Sequence, residues 1–412
     1  MITLLHTADI HLDSPLKSLA LRDEALSQQV QTATRTALIR IVDAALDLQV
    51  SGVLIAGDLF DGAERSARTA AFLIAQLDRL KDAGIAVFYI KGNHDAENPI
   101  TGELTLPDNV HVFDGRGGKV QLGAQDVWIH GVSFSNRHAP DSLLGKFAAP
   151  VPGAVNIAML HTSLAGAPGH DTYAPCSVAE LRDMGFDYWA LGHIHKRQVH
   201  SDAPWIVMPG IPQGRDIGEA GPKSATLIEI DGRTVTVSEV PTAAVEFAEI
   251  TLPCSGIDSE DALRGALREA LRSAAAQISA EAGVLRLQLT GQTPMKWQIL
   301  RDRDRWQETI AELAQTAGAL WIDKVQFDLS DGDAVSGGGS AVDELDRLMQ
   351  QIREEPGFGA EMLETLTTLL SEIPRERRAR LVPDETSAET LARHLCEQGA
   401  EAMVAAMKGA AE

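Results

Sequence analysis

The chain has 412 residues, 44% hydrophobic and 23% charged, with 35 glycines, 18 prolines and a formal net charge of −22. This is the profile of a soluble globular protein long enough for two or three domains; no apolar run reaches the roughly 18 residues of a membrane span, and the acidic balance argues against holding nucleic acid by bulk attraction. The first residues lack the basic stretch of a secretory signal, and Cys176, Cys254 and Cys396 are an odd set without paired or metal-type spacing, which fits free thiols in a reducing cytoplasm.

From the N-terminus to about residue 240 the pattern is α/β. Ile2-Thr3-Leu4-Leu5-His6-Thr7-Ala8 reads as a short strand, and residues 27–49 place Val30, Ala33, Ala37, Leu38, Ile41, Ala44, Ala45 and Leu48 at helical spacing. Val53-Leu54-Ile55-Ala56 is a buried strand, residues 66–82 a helix stopped by Gly84, and Val87-Phe88-Tyr89-Ile90 the next strand. Three more strands are expected at residues 127–130, 156–160 and 188–191. Strands alternating with helices imply a layered sheet flanked by helices.

A second unit, βαβαβ, follows over residues 243–330: strands at 245–252, 284–289 and 320–329, a helix from Ser259 to about 279, and a helix over 305–317 capped by Asp304 and stopped by Gly318. Residues 331–340, with Ser336-Gly337-Gly338-Gly339-Ser340, have the composition of a flexible linker. Helical patterns then run over 341–354, 358–372 and 387–409; with fifteen acidic and eight basic residues, the segment 341–412 carries a net of seven negative charges. About seventy residues with few aromatics make a poor independent core, so these helices are expected to need a surface, on a partner or on the rest of the chain.

The chemistry lies where apolar strands end. Asp9-Ile10-His11 sets a carboxylate and an imidazole two residues apart, on one side of an extended segment. Gly57-Asp58, Gly92-Asn93-His94-Asp95, His161 and Gly192-His193-Ile194-His195 each follow another strand. Ligands of open α/β sheets gather beyond the carboxyl ends of the strands, so five strand ends converge with metal-capable groups. A lone histidine at a strand end is usually structural; five such blocks, holding five of the twelve histidines, are not. The mixed oxygen and nitrogen donors suit manganese, iron, zinc or cobalt, and no thiolate favours a structural zinc site. Seven ligands exceed the needs of one catalytic ion, and a shared carboxylate can bridge two. Two divalent ions less Asp9 and Asp58 leave about +2 in the pocket, enough to hold a phosphodiester on an acidic protein and to acidify a water as nucleophile.

The set Asp-x-His, Gly-Asp, Gly-Asn-His-Asp, His and Gly-His-x-His, over residues 1–242, resembles the calcineurin-like metallophosphoesterase superfamily. That resemblance implies a β-sandwich flanked by helices, with Asp9, His11, Asp58 and His195 on one ion and Asp58, Asn93, His161 and His193 on the other. His94 would face the scissile phosphate, with Asp95 orienting it. Within the superfamily, His6-Thr7-Ala8-Asp9-Ile10-His11-Leu12-Asp13, Gly57-Asp58-Leu59-Phe60-Asp61 and the segment Pro209-Gly210-Ile211-Pro212-Gln213-Gly214-Arg215, followed by Glu219, Gly221 and Lys223, resemble the DNA-repair nuclease branch of SbcD and YhaO type.

The branch implies two manganese ions, DNA as substrate, a nucleoid location and a homodimer. It also implies a small α/β capping domain, and C-terminal helices that dock on the coiled-coil base of an ABC-type ATPase. Asp61 departs from it: many SbcD-type members have histidine there, thought to place the substrate phosphate. Besides Asp61, the loop residues Arg137, His138, His170, Tyr173, Arg197 and Arg215 are candidate substrate contacts, and Arg375, Arg377, Arg378 and Arg380 form a basic spot in the tail. The acidic surface keeps a small-molecule phosphodiesterase open, and a non-catalytic scaffold is the third reading.

Overall fold

The computed structural model describes residues 1–14, 16, 24–62, 66–98, 104–164, 173–330, 341–382 and 384–408. The expected linker at 331–340 and His170 lie outside them. The strands are β1 (Ile2–Thr7), β2 (Gly52–Ala56), β3 (Ala86–Ile90), β4 (Val110–Val112), β5 (Gly118–Gln121), β6 (Val127–Val132), β7 (Val155–His161), β8 (Tyr188–Gly192), β9 (Gln198–Asp202), β10 (Trp205–Met208), β11 (Ser224–Asp231), β12 (Thr234–Pro241), β13 (Val245–Pro253), β14 (Ala282–Gln292) and β15 (Leu320–Ser330). They form two six-stranded sheets, ordered β12-β11-β1-β2-β3-β4 and β5-β6-β7-β8-β10-β9, and a three-stranded sheet β13-β14-β15.

Both large sheets have a parallel centre: β1, β2, β3 and β4 run together in one, β6, β7, β8 and β10 in the other. Their strands are apolar on both faces, as sheets covered on both sides require. In β2, Leu54 and Ala56 face a core shared with Ile129, Ile157, Met159 and Ala190 of the second sheet. Val53 and Ile55 point the other way, against Leu38, Ile41, Leu73 and Leu77 of the helices α1 (Glu24–Asp47) and α2 (Ala67–Asp82). Ser66 caps α2, its hydroxyl accepting from the Thr69 N–H at 3.2 Å. The far face of the second sheet carries Ala158, Leu160, Trp189 and Leu191 and is covered by its own loops and by Leu181. The result is helices, sheet, sheet and a thin outer layer, the layered sandwich expected.

Strands β11 and β12 were not legible from apolar runs. They form a hairpin that turns at Asp231–Thr234, and β11 pairs antiparallel with β1.

The chain divides into two compact units. One comprises Met1–Glu249, Ala274–Arg286 and Ala319–Asp323; the other comprises Ile250–Ser273, Leu287–Gly318 and Lys324–Glu412. The short helices of the first are α3 (Asn93–Glu97) and α4 (Val178–Asp183); the second holds most of α5 (Glu260–Gln277). The helix expected at 305–317 is α7 (Arg303–Ala317), and a short helix that the pattern did not show, α6 (Lys296–Arg301), precedes it. Asp304 is not the cap: it lies in the first turn of α7, and Asp302 takes the N-cap position without a side-chain cap bond.

The tail folds as α8 (Ala341–Glu354), α9 (Pro356–Ser371), α10 (Arg375–Leu381) and α11 (Glu385–Lys408). It packs on its own unit: α11 lies against α6, with Lys408 Nζ 4.7 Å from the Trp297 ring and 2.7 Å from Asp343 of α8. No helix among the described residues is long and apolar enough to cross a membrane.

Candidate metal centre

The five motif blocks meet at the carboxyl ends of β1, β2, β3, β7 and β8. Backbone bonds knit the first two loops together: Asp9 N–H to Gly57 O at 3.0 Å, His11 N–H to Asp58 O at 3.1 Å, and Leu12 N–H to Leu59 O at 3.0 Å. Asp9, His11, Asp58 and His193 all have positive φ, at 52°, 43°, 50° and 103°. Side-chain-bearing residues rarely adopt that region, and its concentration at one site marks backbone held for function. The preceding glycines allow the close approach. A Cβ on Gly57 would strike the His161 ring, one on Gly92 the Asp58 carboxylate, and one on Gly192 the Ala56 carbonyl.

Two groups of side chains face each other across Asp58. Asp9, His11 and His195 form one; His161 and His193 with Asp58 form the other. Asp58 Oδ2 lies 3.4 Å from His161 Nε2 on one side and 4.0 Å from His11 Nε2 on the other, while Oδ1 accepts the His94 N–H at 2.9 Å. Asn93 Oδ1 is 3.1 Å from His161 Nε2. Asp9 accepts the His193 N–H at 2.9 and 3.1 Å.

The outer nitrogens of the rings show which way the inner ones face. A carbonyl can only accept, so His161 carries a proton on Nδ1 and donates it to Ala56 O at 2.9 Å. His195 Nδ1 is 2.7 Å from Glu219 Oε1, and His11 Nδ1 is 3.5 Å from Asp61 Oδ1. With those nitrogens turned to carboxylates, the Nε2 atoms of His11 and His195 approach to 3.1 Å. Acceptors thus converge, an arrangement that positive charge among them would satisfy. Burial opposes charge on His161, but the facing Asp58 outweighs it and raises the pKa to about 9. His11 is raised in the same way, against burial, by Asp61 and Asp58. For Asp58 burial is likewise the largest influence, yet the imidazoles around it hold it well below the usual carboxylate range. The donor set and its geometry therefore fit divalent cations.

His94 stands apart. Gly62 donates its N–H to His94 Nδ1 at 3.1 Å, and Asp61 Oδ1 lies 3.9 Å away. Burial lowers the ring's pKa. Asp95 is fully buried and accepts three backbone N–H groups, from Leu59 (3.2 Å), Phe60 (3.0 Å) and Gly92 (3.1 Å). It ties the loop after Asp58 to the loop before His94; burial, with Asp58 nearby, raises its pKa.

Of the candidate substrate contacts, Asp61 is at the site, its carboxyl held low first by the His11 hydrogen bond. Arg215 is there too, bound to Glu219. Arg197 is placed against Thr226 and Glu239. Tyr173 is buried with its ring 5.1 Å from His193, and the exposed His138 lies parallel to it. Glu219 has a place at the site that no strand-end pattern pointed to.

Residues 2–197 match the calcineurin-like phosphoesterase family, and residues 247–330 match the middle domain of metallophosphoesterase YhaO. Residues 2–197 are thus a calcineurin-like phosphoesterase domain. An uncharacterized metallophosphoesterase YhaO of Bacillus subtilis is 36% identical over 234 residues, 56% of this chain and 57% of that protein. The match thus spans little more than half of that relative's length. The DNA double-strand break repair protein Mre11 of Sulfurisphaera tokodaii is 26% identical over 270 residues, 62% of this chain and 67% of that one. Among solved structures, TT1561 of Thermus thermophilus covers 58% of this chain and 98% of its own, at 16% identity and a TM-score of 0.35.

Proposed function

We propose that this chain is a two-metal DNA nuclease, acting as an exonuclease, an endonuclease or both, that works in DNA repair with an ABC-type coiled-coil ATPase. The observation that carries the phosphodiesterase half is Asp58, whose carboxylate stands between two histidine groups. Asp9, His11, Asp58 and His195 would hold one ion, and Asp58, Asn93, His161 and His193 the other, with manganese first among the candidates. When bound, the ions supply positive charge to the phosphodiester and acidify a water for attack on phosphorus. His94, its Nδ1 occupied by Gly62, presents Nε2–H to the departing oxygen. Asp95 holds the two loops in register. DNA as substrate is supported by the Mre11 relatives.

The ATPase partner is supported by the tail. Ile352, Phe358, Met362, Leu366, Leu369 and Met403 line an apolar groove of about 460 Å³ between α8, α9 and α11. Such a groove suits an amphipathic helix.

The test is cleavage of single-stranded and duplex DNA by the full chain with Mn²⁺. Asp58→Ala and His94→Ala should each abolish it; undiminished cutting by both variants would sink the proposal. The net charge of −22 favours one other reading, a phosphodiesterase for small substrates. That reading wins if DNA is untouched while bis-p-nitrophenyl phosphate or a nucleotide is hydrolysed.

A further inference from the structure

The histidines of the centre are oriented by different means. His161 is fixed by a main-chain carbonyl, Ala56 O, which no substitution of side chain removes. His195 is fixed by a side chain from a distant loop, Glu219, in the short turn Ile217–Glu219. Glu219 is itself held at both oxygens. Its Oε2 accepts the Arg215 backbone N–H at 2.7 Å and faces Arg215 Nε at 3.4 Å; its Oε1 accepts from Arg215 Nη2 at 2.9 Å and from His195 Nδ1 at 2.7 Å. Arg215 Nη2 is also 3.1 Å from His195 Nδ1. The Glu219 oxygen that accepts from Arg215 Nη2 also takes the hydrogen bond of His195 Nδ1 at 2.7 Å, which turns Nε2 of that ring toward His11.

The geometry points to Glu219, clamped by Arg215, as the positioning residue for His195, and so as a determinant of affinity at the Asp9–His11–His195 position but not at the Asp58–Asn93–His161–His193 position. This deepens the two-metal reading and rests on it. A carboxylate behind a ligating histidine fixes its tautomer and raises its basicity, and removing such a partner typically costs about 10- to 100-fold in metal affinity. Arg215 then acts through Glu219: its guanidinium is engaged by the carboxylate.

The full chain should be titrated with Mn²⁺, following heat by calorimetry and the coupling between ions by electron paramagnetic resonance. Wild type is expected to take up two ions with a spin-coupled signal. Glu219→Ala should weaken one of them about 10- to 100-fold, leave the other in place and give an uncoupled signal at intermediate Mn²⁺. Glu219→Gln keeps an acceptor for Nδ1–H and should recover most of the lost affinity, and Arg215→Ala should fall between wild type and Glu219→Ala. Circular dichroism and melting of each variant report folding. Two ions bound as in wild type by folded Glu219→Ala would overturn the inference, as would equal weakening of both ions or a Gln variant no better than Ala. Wild type binding fewer than two ions overturns the two-metal reading and the inference together. Two ions bound without DNA cleavage overturns the nuclease assignment alone.

Discussion

Gly62 donates its backbone N–H to Nδ1 of His94 at 3.1 Å, so the neutral ring holds its proton on Nε2. A hydrogen there matters in proportion to the basicity of the leaving oxygen. A deoxyribose alkoxide needs it; a nitrophenolate leaves without much help. His94→Asn is therefore expected to slow DNA hydrolysis by about 10²- to 10⁴-fold and bis-p-nitrophenyl phosphate hydrolysis far less, with Mn²⁺ stoichiometry unchanged. Equal losses on the two substrates would place His94 in binding rather than in leaving-group departure.

Gly92 has φ −88° and ψ −166°, a conformation open to any residue, so alanine there meets a steric obstacle only. The added Cβ would collide with Asp58 Oδ1 and lie 2.8 Å from the Asp58 backbone N. Gly92→Ala should displace the carboxylate shared by both histidine groups, removing Mn²⁺ uptake and activity while the circular dichroism spectrum stays native. Gly84→Ala is the control: its φ is +73° with open space around it, so it should cost about 1 kcal/mol of stability and leave metal uptake intact. Metal binding retained by Gly92→Ala would refute the steric account.

What the sequence revealed, and what it withheld, follows from how each residue is positioned. Asp9, Asp58, Asn93, His161 and His193 sit directly beyond apolar strands, and parallel strands bring their ends to one edge, so one-dimensional pattern translates into three-dimensional convergence. Glu219 reaches His195 across 24 residues that include β9, β10 and the loop after them, with no periodicity to announce it. Asp95 accepts from three backbone amides, two of them more than thirty residues away, a tie that no spacing in the sequence shows. The tail helices α8, α9 and α11 were legible from spacing, the short α10 was not, and the packing of α11 on α6 brings together Trp297 and Lys408, which lie far apart in sequence.

His6 gives the fold a pH dependence separate from the chemistry. It is fully buried; Nε2 donates to Leu191 O at 3.0 Å and Nδ1 accepts from Tyr188 OH at 2.9 Å. Burial is the main reason its pKa falls from 6.5 to about 3. As pH drops below 6.5 the unfolded chain protonates this ring and the folded chain does not, so the stability it contributes is full above 6.5 and declines on the way to about 3. The slope is roughly 1 kcal/mol per pH unit from this residue. Urea midpoints at pH 7 and pH 5 should differ less in His6→Gln than in wild type; an identical pH dependence would show that His6 is not the group responsible.

Among the described residues of the tail, seven large apolar ones are strongly exposed, including Leu369 at 58% and Met403 at 61%, although Leu366 and Leu370 beside them are 8% exposed. The tail's own contacts bury Leu370, while Leu369 and Met403 stand exposed in the apolar wall of the groove. Residues already in water lose little on becoming polar, so Leu369→Gln with Met403→Gln should change stability by less than about 0.5 kcal/mol per site. Leu370→Ala, which opens a space in the packed face, should cost about 2 kcal/mol or more. If the groove receives a helix from the ATPase, the double glutamine variant keeps its melting temperature and its hydrolysis of a small diester but loses the ATPase in co-purification. Leu370→Ala shows the opposite balance, an earlier melt with binding retained at low temperature. Full ATPase binding by the double variant would assign the exposed wall to something other than that partner.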